Sequence, residues 1–238
     1  MHNEHEVRLA PITTAHPRFS GFRTRLITGI SAGTLTLSAT LIHPYSFWLL
    51  LALCAPILLY EWEGLNVKKS WVFRLLGYVY FAQALMCLGW LRIHPFSDGD
   101  SYTQNPAWVL GLFALIWTTD ISAYLVGKTL KGPKIAPRYS PNKTISGLVG
   151  AIVCTSFMAY ALSGLTPYFN QFYALIAGAF MAIFAQIGDI FESSLKRRAG
   201  KKDSGTLLPG HGGLLDRVDG LITVAPIYTI IIYFLTPA

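Results

Sequence analysis

The sequence has little charge for its length. Only 13% of its 238 residues are charged and 53% are hydrophobic, whereas about a quarter of the residues of a soluble domain are charged. So few charges cannot cover a water-exposed surface, which excludes a soluble globular protein. The apolar residues form blocks of roughly 16 to 20, close to the ~20 residues that cross about 30 Å of hydrocarbon. The sequence therefore predicts a polytopic integral membrane protein.

Cysteine is also scarce, which argues against a disulfide-stabilised protein and against a cysteine-based zinc site. Cys54, Cys87 and Cys154 lie in apolar blocks, and none belongs to a CxxC pair. A disulfide framework and a zinc site are therefore not expected, and the three are interpreted as small buried hydrophobic residues. The first apolar block lacks an A-x-A exit, so a cleaved signal peptide is not expected. Without repeats or linkers, residues 1–238 are predicted to form a single membrane domain.

Seven helices are predicted from the apolar runs between charges. The fold class is therefore all-α, and six or eight spans are the open alternatives. The predicted spans cover residues 26–42, 45–60, 71–91, 106–127, 147–165, 172–190 and 214–235.

The distribution of Lys and Arg indicates the orientation, because cytoplasmic loops retain positive charge. With a cytoplasmic N-terminus, 17 of the 19 basic residues fall in cytoplasmic segments. These are Arg8, Arg18, Arg23, Arg25, Lys68, Lys69, Arg74, Lys128, Lys131, Lys134, Arg138, Lys143, Lys196, Arg197, Arg198, Lys201 and Lys202. Arg217 begins the last helix on the same side, and Arg92 lies on the other side beside Asp98 and Asp100. A multi-pass protein of the cytoplasmic (inner) membrane is expected.

The net charge of +7 does not indicate nucleic acid, because the basic residues lie between apolar blocks rather than along one soluble face. Lipid headgroups and nucleotide phosphates are the expected anions. Residues 1–25 form the predicted cytoplasmic N-terminal segment. The long cytoplasmic loops, 128–146 and 191–213, offer the room for soluble chemistry.

Four of the 12 acidic residues lie inside or at the ends of apolar helices: Asp120, Asp189, Asp216 and Asp219. Ionisable residues in such places are costly and are candidates for function. The predicted topology brings all four toward the cytoplasmic side, with Asp216 and Asp219 on one helix face. Such hard oxygen ligands suit Mg²⁺, which is shared with substrate phosphates. The alternative is that these acids pair with Arg217, Lys196 or Arg197 and anchor helix ends.

Two loops are candidates for binding phosphate. The turn Pro209-Gly210-His211-Gly212-Gly213 precedes the last helix, where backbone N–H groups and the helix dipole favour an anion. The run Ser140-Pro141-Asn142-Lys143-Thr144 leads into the fifth span in the same way. A plain turn in the first case, and a capped helix start with a snorkelling lysine in the second, remain the alternatives.

Residues 193–219 read S-S-L-K-R-R-A-G-K-K-D-S-G-T-L-L-P-G-H-G-G-L-L-D-R-V-D. This stretch resembles the signature of phosphatidate cytidylyltransferases, S-x-hydrophobic-K-R-x4-K-D, then P-x-H-G-G, then D-R-x-D. Upstream, Thr119-Asp120, the run 140–144 and Gln186-x-Gly188-Asp189 are also similar to that family. The resemblance is close over residues 117–220, the predicted catalytic region. Ser146 departs from it, because the family usually has Glu at this position.

The resemblance implies transfer of a cytidylyl group from CTP to phosphatidic acid, giving CDP-diacylglycerol and pyrophosphate. It implies Mg²⁺ held by Asp189 and Asp219 with Asp216 nearby, and a second cation is left open. Further catalytic roles are implied for Lys202, His211 and Arg217. The implied substrate-binding residues are Asp120, Ser140, Asn142, Lys143, Thr144, Lys196, Arg197, Asp203, Gly212 and Gly213.

Two other functions are weighed against this one. A CTP-dependent polyprenol or phytol kinase would move the γ-phosphoryl group instead, but the complete D-R-x-D signature argues against it. A transporter would spread its acids through the membrane and show repeats, which this sequence lacks. CTP, phosphatidic acid and membrane lipids are the expected partners, nucleic acid is not, and a homodimer is left open.

Overall fold

The computed structural model describes residues 21–66, 70–95, 105–166 and 170–235. Most of the predicted cytoplasmic N-terminal segment, with Arg8 and Arg18, lies outside these described residues. Lys68, Lys69, Asp98 and Asp100, whose charges were used to predict the orientation, also lie outside them.

The described residues contain seven α-helices, each long and apolar enough to cross a membrane. They are α1 (Phe22–Ile42), α2 (Pro44–Gly64), α3 (Trp71–Ile93), α4 (Ala107–Leu130), α5 (Ile145–Ser163), α6 (Gln171–Arg198) and α7 (Leu215–Leu235). The prediction of an all-α membrane protein with seven spans is confirmed.

Several helices begin where a polar residue caps their free backbone N–H groups. The Ser70 side chain accepts a hydrogen bond from the Phe73 amide at α3, Thr144 accepts one from Gly147 at α5, and Asn170 accepts one from Phe172 at α6. In each case the cap is the residue directly before the helix, so the local sequence determines the helix start.

The predicted end of the sixth span near residue 190 is wrong by about two turns. α6 continues to Arg198, so Lys196 lies on a helix rather than in the predicted loop 191–213. Glu192 lies on the same helix, as its three-residue spacing from Gln186 and Asp189 predicts. The side chains of Glu192 and Lys196 are buried and form an i,i+4 ion pair. A search for apolar runs stops at such charges, although here they face the protein interior.

The predicted loop 128–146 contains a short hairpin. Strands β1 (Lys134–Ala136) and β2 (Ser140–Thr144) pair antiparallel, with Lys134 opposite Thr144. β2 runs directly into α5, which fixes Lys143 one residue before the Thr144 cap.

The C-terminal ends of α2, α4 and α6 lie at the same end of the bundle as the N-terminal ends of α3, α5 and α7. A cluster of buried apolar residues supports this end: Leu58, Trp62, Leu65, Phe81, Ala84, Leu195, Leu215 and Ile222. The Trp62 indole donates a hydrogen bond to the Phe73 carbonyl at 2.9 Å and stacks on the Phe73 ring. This packing fixes the last turn of α2 beside the loop that joins α6 to α7.

Candidate active site

Three helices bring carboxylates together at this end of the bundle. Asp120 on α4 lies within electrostatic range of Asp189 on α6 and Asp219 on α7. Lys143 joins them from β2, with its Nζ 2.5 Å from an Asp189 carboxylate oxygen. The same ammonium group donates to the Gln186 side-chain oxygen at 2.9 Å. Of the four acids predicted to converge, the structure thus brings Asp120, Asp189 and Asp219 together beside Lys143. The fourth, Asp216, pairs with Lys196.

Gly188 allows α6 and α7 to approach closely beside these carboxylates. A Cβ atom at this position would lie 2.1 Å from the Thr223 hydroxyl oxygen, so any side chain would push the helices apart. The Thr223 hydroxyl donates to the Asp219 carbonyl at 2.9 Å and lies 2.7 Å from the Tyr80 hydroxyl. Asp189 follows Gly188 directly, so the close helix contact positions it near Asp219.

A second network surrounds Lys196 and Asp216. The Lys196 Nζ lies 2.6 Å from Asp216 and 3.3 Å from Glu192, and all three side chains are largely buried. Asp216 also accepts hydrogen bonds from the backbone N–H groups of Ser204 at 2.9 Å and Gly213 at 2.8 Å. Its oxygens therefore hold the α6–α7 loop, while its assignment as a metal ligand stays a prediction.

Glu61 is a further member of the site that the sequence analysis did not identify. This residue of α2 is 3% exposed. Its carboxylate accepts hydrogen bonds from the Leu214 amide at 2.9 Å, the Leu215 amide at 2.8 Å and the Ser204 hydroxyl at 3.0 Å. An acidic residue near the end of an apolar helix was the available signal.

Most backbone amides of the turn at residues 209–213 donate hydrogen bonds within the protein. Gly210 and Gly212 have φ values of 76° and 87°, which favour glycine. The amides of His211 and Gly212 both donate to the Leu208 carbonyl, and the Gly213 amide donates to Asp216. Binding of phosphate by Gly212 and Gly213 stays a prediction, and in this conformation the neighbouring side chains would have to contribute most of the contacts.

His211 lies in this turn between two arginines. Burial, followed by the charge of Arg217, keeps the pKa of the imidazole below its usual value; the Pro209 backbone opposes this effect, and Arg25 adds a smaller lowering contribution. A lowered pKa favours the neutral imidazole, which suits a hydrogen-bonding role better than a permanent positive charge. Arg217 in turn donates two hydrogen bonds to the His211 carbonyl, at 2.6 and 3.1 Å.

The remaining predicted residues lie around the rim of this end. Lys202 and Asn142 are exposed, while Ser140 and Asp203 are partly exposed. The Arg197 guanidinium donates to the Lys201 carbonyl at 2.9 Å. These residues therefore place polar groups around the carboxylates.

Ser146, at the position where the family usually has Glu, bonds to protein groups. Its hydroxyl donates to the Lys131 carbonyl and lies 3.0 Å from the Thr144 hydroxyl. It therefore joins the start of α5 to the end of α4. A carboxylate from α5 is absent at this position.

The carboxylates fit a hard divalent cation, although they do not form a closed cage. Across the four described ranges, no three Asp, Glu, His or Cys side chains are placed to hold a metal ion together. Mg²⁺ does not need such a cage, since it binds through one or two carboxylates and keeps waters and substrate phosphates as its other ligands. The Glu192 carboxylate lies 3.3 Å from the Lys196 ammonium group and close to Asp219. Carboxylates this close to one another repel unless a proton or a cation lies between them, which is consistent with a divalent ion at this centre.

The fold and the site define a class: a polytopic membrane protein with a charged centre at one end of its helix bundle. Residues 66–235 match the model of the Cytidylyltransferase family, and the chain belongs to this family. The predicted family resemblance is thereby confirmed.

Curated relatives extend this similarity along most of the chain. A phosphatidate cytidylyltransferase of Brucella abortus biovar 1 (strain 9-941) is 33% identical, with 87% of this chain and 91% of the relative covered. Proteins of the same name are 35% identical in Rickettsia bellii (strain RML369-C), covering 76% and 78%, and 36% identical in Bacillus subtilis (strain 168), covering 78% and 66%.

The Lys196 network leads to a prediction about stability. Lys196→Gln removes the cation between two buried carboxylates, and we expect it to destabilise the protein by about 3 kcal/mol, since an uncompensated buried charge is costly. Lys128→Gln is the matched control, because Lys128 is exposed and its ammonium group lies 3.1 Å from the Tyr124 hydroxyl rather than beside a buried carboxylate. Thermal unfolding in detergent measures both variants. Equal midpoints for them would contradict this account of the network.

Proposed function

We propose that this chain is a phosphatidate cytidylyltransferase, which transfers CMP from CTP to phosphatidic acid and releases pyrophosphate. The observation that carries the proposal is the grouping of Asp120, Asp189, Asp219 and Lys143 at one end of a bundle that belongs to this family. The names of the relatives, which cover most of the chain, support the same reaction.

The reaction requires no nucleophile from the protein. An oxygen of the phosphatidate phosphate attacks the α-phosphorus of CTP, and the bond from that phosphorus to the bridging oxygen of pyrophosphate breaks. The attacking oxygen is already anionic at neutral pH, so no side chain has to remove a proton. The protein contributes by positioning the two substrates and by compensating their charges.

Asp189 and Asp219 are the proposed holders of Mg²⁺, as hard oxygen ligands from two adjacent helices. When bound, the ion would offset charge on the reacting phosphates. Lys143, paired with Asp189, fixes the orientation of that carboxylate. Asp120 adds a third negative charge nearby, which is consistent with a second cation.

The basic side chains around the carboxylates are the proposed contacts for the anionic substrates. Lys143 lies inside the centre, whereas Lys202 and Arg217 are exposed at its rim. Lysine binds phosphate as a point charge, and arginine binds it through a planar fork of donors. We assign the inner lysine to the reacting phosphates and the rim residues to the remaining charge of CTP.

The location at the helix ends suits substrates from two phases. CTP is soluble and arrives from water, while the acyl chains of phosphatidic acid stay in the bilayer. We propose that this end of the bundle faces the cytoplasm, where CTP is available, with the N-terminus on the same side. The excess of Lys and Arg in the connecting loops supports this orientation.

Accessibility labelling tests the orientation. We expect a membrane-impermeant thiol reagent to reach a cysteine at Arg138 or Lys202 from the cytoplasmic face of inside-out vesicles, and not in intact cells. A cysteine at Asn170, which begins α6 at the opposite end, is the control and should give the reverse pattern. Labelling of the first two positions in intact cells would reject a cytoplasmic site.

Labelled CTP distinguishes the proposed reaction from that of a CTP-dependent lipid kinase. Purified protein, phosphatidic acid and Mg²⁺ should transfer label from the α-phosphate of CTP into lipid, with equimolar pyrophosphate released. Label from the γ-phosphate should not enter lipid, because it leaves with pyrophosphate. Lipid that carries the γ label would instead show phosphoryl transfer and overturn the assignment.

Single substitutions test the proposed metal ligands. Asp189→Asn and Asp219→Asn each remove a negative charge at nearly constant size, and we expect turnover to fall by at least about 10²-fold. Glu63→Gln is the control, since Glu63 pairs with Arg74 and Tyr78 away from the centre. Turnover is measured against Mg²⁺ concentration, with thermal unfolding as a check on folding. Near-normal rates in both Asp variants would refute the metal assignment.

A further inference from the structure

The helix that carries Asp216 and Asp219 is capped by a residue from another helix. The first turn of an α-helix has backbone N–H groups without partners inside the helix. At α3, α5 and α6, the residue directly before the helix satisfies one of them. At α7, the Leu214 and Leu215 amides donate instead to the two oxygens of Glu61, about 150 residues earlier in the chain. A carboxylate there also interacts favourably with the helix dipole.

Glu61 also holds the loop that precedes α7. The Ser204 hydroxyl donates to Glu61, while its backbone amide donates to Asp216. Ser204 therefore joins the two carboxylates, and it is only 4% exposed. One turn further along α2, the Gly64 carbonyl accepts a hydrogen bond from the Lys201 ammonium group at 2.8 Å. The last turn of α2 thus contacts the loop at several points between residues 201 and 215.

Two glycines, Gly205 and Gly213, lie close to the Glu61 carboxylate. A Cβ atom at Gly213 or at Gly205 would lie 2.6 Å from a Glu61 carboxylate oxygen. The loop passes so close to Glu61 that neither position has room for a side chain. Gly213 belongs to the turn interpreted from the sequence as a phosphate cradle, and in the folded protein it lets the loop close around Glu61.

We propose that Glu61 is a positioning residue of the active site, acting through α7 and its preceding loop. By fixing the first turn of α7, it places Asp216 against Lys196 and holds Asp219, one turn further, beside Asp189. This inference rests on the proposed function for its effect on turnover. The structural part, anchoring of residues 201–215 by Glu61, does not depend on that function.

Glu61→Gln is the main test, because it keeps the size of the side chain and changes its hydrogen bonding. The amide offers one oxygen acceptor and places an NH₂ donor against the N–H and O–H donors that the carboxylate accepted. We expect kcat to fall by about 10²-fold, the loss that a small misplacement of reacting groups can cause, while KM for CTP changes much less. Glu61→Asp, shorter by one methylene, should recover part of the loss. Glu63→Gln, two residues along the same helix, should leave kcat unchanged.

Hydrogen exchange provides a readout that does not depend on activity. In Glu61→Gln, amides in residues 203–216 should exchange faster than in wild type, while amides in the α4–α5 pair keep their wild-type rates. Ser204→Ala removes one hydrogen bond and should show a smaller effect in the same segment, which keeps the test usable if Glu61→Gln does not fold.

The possible results of these experiments distinguish failure of the Glu61 inference from failure of the proposed function. Wild-type exchange together with wild-type kcat in Glu61→Gln would overturn it, as would faster exchange spread evenly over all helices. A wild-type protein that releases no pyrophosphate with phosphatidic acid would instead refute the proposed function. In that case the exchange of residues 203–216 alone decides whether Glu61 anchors the loop.

Discussion

A carboxylate enclosed by an apolar helix bundle must be compensated by a cation or by hydrogen-bond donors, and this requirement organises one end of the protein. The cost of an isolated buried charge is several kcal/mol, more than a marginally stable fold can tolerate repeatedly. Asp216 is compensated by Lys196 and by two backbone amides. Glu61 is compensated by neutral donors of the loop and α7. The remaining acids, Asp120, Asp189 and Asp219, lie close together beside one lysine, Lys143, so their combined negative charge exceeds the charge that this lysine offsets.

The two kinds of compensation correspond to two roles. Carboxylates whose oxygens are filled by protein donors hold the loop and the helix start in place. Asp120, Asp189 and Asp219, which lie close together beside a single lysine, Lys143, are the ones where a divalent ion would lower the free energy. A preorganised site of this kind suits phosphoryl-type transfer, in which positioning and charge compensation provide most of the catalysis.

The signature segment of the family, residues 193–219, therefore has a structural role in addition to its proposed role in substrate binding. Its glycines allow the close passage of the chain around Glu61, and its first aspartate, Asp216, closes the loop on itself. The amides that an isolated glycine-rich turn would present to phosphate are mostly used inside the protein. We therefore propose that anion binding at this end depends chiefly on the lysine and arginine side chains and on a bound cation.

The sequence by itself determined the all-α class and the set of central acids, and it favoured seven spans while leaving six or eight open. Apolar blocks of membrane length can satisfy their backbone only as helices, so composition and spacing were sufficient to predict an all-α bundle. The rarity of charge in those blocks singled out Asp120, Asp189, Asp216 and Asp219, because each needs a reason to be there.

Only the tertiary structure decided which of these acids hold the loop and which leave negative charge for a ligand. The extension of α6 to Arg198 was not predictable from hydropathy, because Glu192 and Lys196 are polar in sequence and become buried only as a pair. Glu61 was missed for a related reason, since its partners lie on a loop about 140 residues away. Hydrogen bonds between distant segments leave no periodic pattern in the chain, and they form only when packing brings the helix ends together.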